Sequence, residues 1–403
     1  MRAAWVTRTV VGIVLATFFS DVGHEMVTAV LPLYLASVGL GPAALGVMEG
    51  AADLAFSLSK LAGGAAGHRV QRKRPWMAGG YLLTTLGTGL IALVRAVAGV
   101  IALRTFAWFG RGFRSPLRDF MLADEVGPTH FGRAYGFERS ADMIGAVVGP
   151  LLAALLVASG ASLRTVILGS MIPSGISVAA VLLLTHDRAA EPAAATATTV
   201  TGAAPAATAP RAPFPRAYWL FVGGVLLFGL GDFSRTFLIV LAARALGEGD
   251  PSAVLTTAVL LYAGHNLVSA LAAYPAGRLG DAGSKPRVLL AGYALGVITN
   301  VTLALAGGSL PWLALAIVLS GIYIAIEETL EKAVVAQLLP REQRSLGLGV
   351  LASANALGDL GSSLAVGLLL AADRPMLAFL LPAAVGALGV AWMASLVARR
   401  VVA

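Results

Sequence analysis

The sequence predicts an all-α polytopic membrane protein, with twelve transmembrane helices in two pseudo-symmetric bundles of six. Three observations lead to this class. Of the 403 residues, 58% are hydrophobic and only 12% are charged, and the mean hydropathy is +0.83, far from the balance of a soluble domain. Apolar segments of about 20 residues, the length that crosses a bilayer core, recur along the whole chain. The two halves of the chain also repeat one another.

Charged residues and Gly/Pro breaks separate the twelve spans. They cover residues 9–37, 42–67, 76–97, 99–122, 131–158, 162–184, 217–243, 252–279, 286–307, 311–339, 343–371 and 374–398. The chain therefore divides into an N-terminal six-helix bundle over residues 1–184, a linker over residues 185–216 and a C-terminal six-helix bundle over residues 217–403. The linker is a tract of Ala, Thr and Pro, which cannot bury a core and is predicted to be flexible.

Lys and Arg crowd the loops that follow the even-numbered spans. By the positive-inside rule, both termini and the linker are expected to be cytoplasmic, in a bacterial inner membrane. These residues set orientation, so the formal net charge of +8 does not indicate a nucleic-acid partner. The chain has no cysteine, which excludes disulfides and thiolate chemistry. The basic loop residues are Arg69, Arg72, Lys73, Arg74, Arg278, Lys285, Arg287, Arg341 and Arg344.

The repeat is clearest after spans two and eight. LAGGAAGHRVQRKRPWMAGGY (61–81) aligns with YPAGRLGDAGSKPRVLLAGY (274–293), so that Gly64 matches Gly277 and His68 matches Asp281. Two copies of one six-helix unit are typical of secondary transporters that rock around a site at the membrane midplane.

These features together resemble the major facilitator superfamily, across essentially the whole chain. The segments FFSDVGHEM, GRGFRSPLRDFMLADEV, GRAYGFERSADMIGAVVGP and AYPAGRLGD are similar to a bacterial branch of that superfamily described as efflux permeases. The resemblance implies alternating access between two six-helix halves. The Gly-x-x-x-Asp-Arg loop motif of the superfamily is only partly kept: His68 stands at the acidic position of the first half, and Ala282 follows Asp281 in the second.

Ionisable residues within spans predict which helices line the path. Spans three, six, nine and twelve have none in their interiors, and the other eight have at least one. A buried charge is costly in lipid, so the eight are expected to surround a central site. Acids four residues apart, as in Asp21 and Glu25, favour proton coupling, whereas pairing with arginine is an equally weighted alternative. The candidates for the central site are Asp21, His24, Glu25, Glu49, Asp53, Asp232, Arg235, His265 and Asn266.

GRGFRSPLRD (110–119) places three arginines on one helix face near the cytoplasmic end of span four. With charged residues of span five and Glu327, Glu328 and Glu331 of span ten, they predict a gate of ion pairs that forms in one state and breaks in the other. An alternative is that Arg111 or Arg114 binds an anionic group of the substrate. A third is that Arg118 contacts lipid phosphate. The predicted gate residues are Arg111, Arg114, Arg118, Asp119, Glu138, Arg139, Asp142 and Asp281.

GAVVGP (145–150) on span five places Gly145 and Gly149 four residues apart. Such a small-residue face permits close packing of helices. Within the superfamily, the motif resembles the one typical of antiporters.

Rival functions are less well supported. HEMVT (24–28) lacks the second histidine of a zinc-protease helix, and there is no phosphate-binding P-loop, so neither an enzyme nor a resident cofactor or metal is expected. Copper or nutrient import remains an alternative, although Phe233 and Phe237 stand where a copper importer of this fold is expected to hold methionines. A sensor or scaffold that does not transport is another. The predicted function is proton-coupled efflux of a small organic solute by a monomer whose partners are the solute, protons and the lipid bilayer.

Overall fold

The computed structural model describes residues 5–38, 42–188, 213–233, 237, 251–306 and 309–402. Regular structure in these residues is helical, and we number the long helices by the span to which each belongs. They are α1 (Arg8–Ser37), α2 (Pro42–Arg69), α3 (Arg74–Gly89), α4 (Val97–Glu125), α5 (Phe131–Ala158), α6 (Leu163–Gly169 and Met171–Leu184), α7 (Arg216–Gly229), α8 (Pro251–Ala282), α9 (Lys285–Leu305), α10 (Leu310–Leu338), α11 (Arg341–Ala371) and α12 (Pro375–Ala398).

The predicted fold class is confirmed. Most helices begin and end within a few residues of the predicted spans, and eight of the described helices are long and apolar enough to cross a membrane. Span six differs, because it is interrupted at Ser170, whose hydroxyl donates to the carbonyl of Ile167. The middle of the linker, residues 189–212, and most of span seven beyond Phe233 lie outside the described residues.

Helix starts follow from local sequence. The hydroxyl of Thr7 accepts a hydrogen bond from the amide of Val10 and so caps α1, and Ser162 caps α6 in the same way. Proline occupies the first turn of α3, α9, α10 and α12, where its missing N–H has no helical partner to lose.

The described helices pack as two groups of six. Contacts between the groups come mainly from α2, α4 and α5 on one side and α8, α10 and α11 on the other. Helices α3, α6, α9 and α12 pack chiefly within their own groups. This agrees with the prediction that every third helix is peripheral.

The two groups meet at the end of the bundle that carries the linker termini and the α2–α3 and α8–α9 loops, which we call the linker end. A methyl group placed on Gly64 would lie 2.9 Å from Cα of Gly349 in the other group. Gly277, its match in the repeat, approaches the backbone of Gly132 just as closely. Each copy of the aligned glycine thus lets its helix touch the opposite half.

Away from the linker end, α2 and α11 expose large apolar side chains. Leu54 and Leu58 on α2 are 62% and 63% exposed, and Leu360 and Leu364 on α11 are 67% and 62% exposed. All hydrogen bonds, ion pairs and close glycine contacts between the halves that the described residues make lie toward the linker end. We call the other end of the bundle the open end.

Within the first half, Gly145 and Gly149 place α5 directly against α1. A methyl group on Gly149 would lie 2.7 Å from the carbonyl oxygen of Val22 and 2.8 Å from Cβ of Glu25. Gly145 makes the equivalent approach at Phe18 and Asp21. The small-residue face predicted for span five therefore sets the position of the α1 turns that carry two candidate acids.

Replacing Gly149 with leucine is expected to lower the apparent melting temperature in detergent, because overpacking of this kind costs about 1–3 kcal/mol. Gly175→Leu in α6 is the matched control, since a methyl group there would meet no atom within 4 Å. Equal melting temperatures for the two variants would contradict the packing role of Gly149.

Candidate functional site

Asp21 of α1 lies at the centre of the first half and is 2% exposed. Its Oδ1 accepts a hydrogen bond from Nη1 of Arg111 at 2.5 Å. The carboxyl groups of Asp21 and Asp142 lie within electrostatic range of each other. Two neighbouring carboxylates repel each other, and a proton on one of them removes that repulsion.

Arg139 of α5 connects this centre to the other half. Its Nη1 lies 2.5 Å from Oδ2 of Asp142, and its Nη2 donates to Oε1 of Glu328 on α10 at 2.7 Å. A series of charged groups therefore runs from Arg111 through Asp21, Asp142 and Arg139 to Glu328, with electrostatic coupling rather than a hydrogen bond between Asp21 and Asp142. The series joins the centre of one half to a side chain of the other.

Two of the arginines predicted for the gate do not cross between the halves. Arg111 pairs with Asp21 in its own half. Arg114 donates to Thr84 and Ser20, and its guanidinium carbon lies 3.8 Å from the centroid of the Tyr81 ring. In this structure Arg111 contacts α1, and Arg114 contacts α1 and α3. Their part in a gate that changes between states stays a prediction.

Arg118 also remains within the first half, where its Nη1 lies 2.7 Å from Oε1 of Glu138. The neighbouring residue, Asp119, does reach across, with its Oδ2 at 3.7 Å from Nζ of Lys332 on α10. Nη2 of Arg118 also lies 2.9 Å from Oδ1 of Asp119, so the ion pair inside the first half adjoins the contact between halves.

At the linker end, Asp281 accepts hydrogen bonds from the backbone amides of Gly132 and Arg133, at 2.9 and 2.8 Å. A carboxylate at the start of α5 also complements the helix dipole. His68, which aligns with Asp281, contacts the carbonyl oxygen of Glu342 at the start of α11 through its Nδ1 at 2.7 Å. The two copies of the repeat therefore contact the opposite half at matching places, one through a carboxylate that accepts from backbone amides and the other through an imidazole next to a backbone carbonyl.

A further cross-link at this end joins Arg341 of α11 to Asp124 of α4. Two guanidinium nitrogens bind the two carboxylate oxygens, one of them at 2.7 Å, and this bidentate geometry is the strong form of the pair. Nearby, partial burial and the charge of Arg341 lower the pKa of Lys73 in the α2–α3 loop.

Arg104 was not among the predicted site residues. It is 1% exposed, and its Nη2 lies 3.2 Å from Oε1 of Glu49, a predicted central acid. Its guanidinium carbon also lies 5.3 Å from the centroid of the Trp108 ring, which His24 contacts edge-on. The sequence spacing could have identified Arg104. It lies seven residues before Arg111, and Arg118 lies seven residues after it, so the three share one helix face.

Two predicted central acids make no ion pair or hydrogen bond within the described part of the chain. They are Glu25, which is partly buried, and Asp53, which is exposed on α2.

Lys60, which was not predicted, lies one turn of helix nearer the linker end than Phe56, with its Nζ 4.1 Å from the centroid of that ring. Asp359 and Glu328 of the second half lie within electrostatic range of Lys60.

In the second half, Asp232 accepts a hydrogen bond from the hydroxyl of Tyr323 at 2.6 Å. This contact is the counterpart of Asp21 with Arg111, because both of its residues lie one repeat length further along the chain. Glu331 accepts from the Tyr293 hydroxyl and from Nδ2 of Asn355. Tyr323 thus lies in the second half at the position that corresponds to Arg111.

Three more candidates for the central site come from the second half: His265, Asn266 and Arg235. His265 is 0% exposed and Asn266 is 2% exposed. His265 lies between α8 and α10, with its Nε2 at 3.1 Å from the hydroxyl of Ser320. Both side chains are therefore buried in this state, His265 against α10, and their place in a central site stays a prediction. Arg235 lies outside the described residues.

The fold and the charged centre together define a multi-pass membrane transporter of the secondary type, built of two helical halves. The comparisons agree. Residues 13–264 and 253–402 match the Major Facilitator Superfamily, and the chain belongs to that family.

The relatives cover nearly the whole chain. An uncharacterized protein of Mycobacterium tuberculosis is 27% identical over 373 residues, which is 91% of this chain and 87% of the relative. An uncharacterized MFS-type transporter of Methanocaldococcus jannaschii is 25% identical over 354 residues, 88% of this chain and 86% of the relative.

Solved structures share the fold. The fucose:proton symporter FucP of E. coli has a TM-score of 0.73 at 14% identity, covering 98% of this chain and 99% of that one. The human organic anion transporter MFSD10 has a TM-score of 0.71 at 15% identity, covering 96% and 99%. A bacterial homologue of the iron transporter ferroportin, in an outward-facing state, has a TM-score of 0.69 at 16% identity, covering 96% and 98%.

Proposed function

We propose that this protein exports a small organic solute across a bacterial inner membrane in exchange for protons. Both termini and the linker are cytoplasmic in this proposal, so the structure corresponds to a state closed toward the cytoplasm and open toward the outside. The observation that carries the proposal is the placement of the ion pairs between halves, Arg139–Glu328, Asp119–Lys332 and Asp124–Arg341, all toward one end. Transport needs such contacts to form in one state and break in the other.

The series of charged groups from Asp21 to Glu328 supplies a route for coupling. Asp142 holds Arg139 on one side while Glu328 holds it on the other. Adding or removing a proton at the Asp21–Asp142 pair changes the charge that anchors Arg139. It therefore changes the free energy of closing the linker end, which is what coupling between a site and a gate requires.

The GAVVGP segment favours exchange over symport in this proposal, through its resemblance to the antiporter motif. We further propose that the protein works as a monomer and without a nucleic-acid partner, since its basic loop residues serve orientation and contacts between halves. Each half supplies part of the gate, so a single chain contains both moving elements.

The test is proton movement in everted membrane vesicles that carry an imposed pH gradient. Cationic, zwitterionic and anionic solutes and copper are added in turn, with vesicles from cells lacking the protein as the control. We expect at least one organic solute to dissipate the gradient only when the protein is present. Uptake of the same solutes into whole cells, with no effect on the gradient in vesicles, would instead indicate import and contradict export.

A further inference from the structure

Glu327 on α10 is a buried acid with no partner among the described residues. The residue is 6% exposed, and its carboxyl group makes no hydrogen bond or ion pair with the described residues. An ionised carboxylate that is buried without a counter-charge is strongly unfavourable. The group is stable if it carries a proton or if a cation binds beside it.

The charged groups around Glu327 in its own half are mostly acids. Asp232, Glu328, Glu331 and Asp359 all lie within its electrostatic range, and the Tyr293 hydroxyl donates to Glu331 rather than to Glu327. From the first half, Arg139 reaches this region but is bound to Glu328 and Asp142. No cation of the described residues is paired with Glu327 itself.

The four arginines of α4 are already engaged within the first half. Arg104, Arg111 and Arg118 each bind a carboxylate, and Arg114 is enclosed by hydroxyl groups and Tyr81. In contrast, Glu25 and Asp53 have no partner among the described residues. The charged groups that remain available around the centre are thus mainly acidic.

Lys60 shows how a cation can be held there. Its ammonium group lies over the Phe56 ring, within electrostatic range of Asp359 and Glu328, which also lie within electrostatic range of Glu327. An ammonium group against an aromatic face and opposite carboxylates is the arrangement that recognises organic cations. Lys60 is tethered to α2, so it competes with a soluble cation for the same acids.

We propose that Glu327 binds either a proton or the ammonium group of the substrate, and that the substrate is a monovalent organic cation with an apolar body. The inference rests on the proposed exchange of solute for protons and names the substrate class of that site. When the cation binds, the Glu327 carboxyl group loses its proton to solvent, and the carboxylate pairs with the cation. Proton and substrate then occupy the same group in turn, which is the basis of exchange.

The experiment measures binding to the purified full-length protein rather than transport. The probe is 4-phenylbutyltrimethylammonium, whose charge does not depend on pH, and the comparators are 4-phenylbutanol and 4-phenylbutyrate. Calorimetry gives the affinity, and a pH-sensitive dye in unbuffered solution counts the protons released. We expect the cation alone to bind, with release of about one proton per bound cation.

Three variants test the residues. Glu327→Gln is expected to lose at least tenfold in affinity for the cation and to release no proton. Lys60→Met is expected to bind the cation more tightly, because the tethered competitor is gone. Glu342→Gln is the matched control, since this acid is exposed at the linker end, and it should bind as the wild type does. The melting temperature of each variant verifies that it is folded.

Unchanged affinity and proton release in Glu327→Gln would overturn the role of Glu327. Binding of 4-phenylbutyrate or 4-phenylbutanol in place of the cation would overturn the substrate class. Neither result bears on whether the protein exchanges a solute for protons, which the vesicle assay decides. Conversely, cation binding with proton release but no transport in vesicles would contradict the proposed function and leave this site standing.

Discussion

Asp21→Asn is expected to abolish uphill transport driven by a proton gradient, while exchange of labelled for unlabelled solute continues. Asparagine keeps the size of the side chain and accepts a hydrogen bond from Arg111, but it removes the titratable group that lies within electrostatic range of Asp142. Gradient-driven accumulation should fall to the level of liposomes without protein. Equilibrium exchange needs only the rocking of the two halves and should persist.

The measurement is made in proteoliposomes, with the solute that the vesicle assay identifies. Asp373→Asn is the matched control, because Asp373 is exposed and has a φ of 54°, a backbone conformation that asparagine tolerates well. The same chemical change at that position should leave both activities intact. Uphill transport that survives in Asp21→Asn at the wild-type rate would remove Asp21 from the coupling mechanism.

Breaking the Arg139–Glu328 pair is expected to open the linker end. Arg139 is buried and Glu328 is partly buried, and loss of either partner leaves the other without this counter-charge in the closed state only. The wild-type chain has no cysteine, so a single Ser345→Cys substitution reports access to the contact between α2 and α11, where Ser345 is 1% exposed. In that background, Arg139→Gln or Glu328→Gln should raise the rate of maleimide labelling by on the order of tenfold or more.

The double variant distinguishes a specific pair from general loosening. Arg139→Gln with Glu328→Gln should label no faster than the faster single variant, because the two changes remove one interaction. Arg164→Gln, an exposed arginine near the open end, is the matched control and should leave labelling slow. Slow labelling in all the variants would mean that this pair does not hold the linker end closed.

Several features of the site followed directly from sequence patterns. The aligned glycines, Gly64 and Gly277, were found as a repeat and proved to be close contacts between halves. Gly145 and Gly149 were recognised as a packing face and do pack α5 against α1. Such predictions succeed because glycines four residues apart leave a smooth face on their own helix, and any neighbouring helix can pack closely against that face.

The sequence did not give the partners of the predicted gate arginines, and the reason is geometric. The spacing of Arg111, Arg114 and Arg118 places them on one helix face, but it does not say which neighbouring helix that face meets. In the structure their partners lie within the first half, whereas Asp119, one residue further along, meets Lys332 of the second. A rotation of about 100° per residue around the helix axis is enough to change the partner.

The sequence alone indicated that the protein lies in a membrane, how many spans it has, that its halves repeat and which family it resembles. Each of these depends on the length of the apolar segments and on the order of residues along the chain. Only the tertiary structure decided which charges are paired and which are not. It bound Arg104, Arg111, Arg118 and Arg139 to acids, enclosed His265 beneath α10, and left Glu25, Asp53 and Glu327 without a partner in the described residues. Pairing depends on distances of a few ångströms between helices that are far apart in sequence, and in a medium of low dielectric constant those distances determine where a charge is stable.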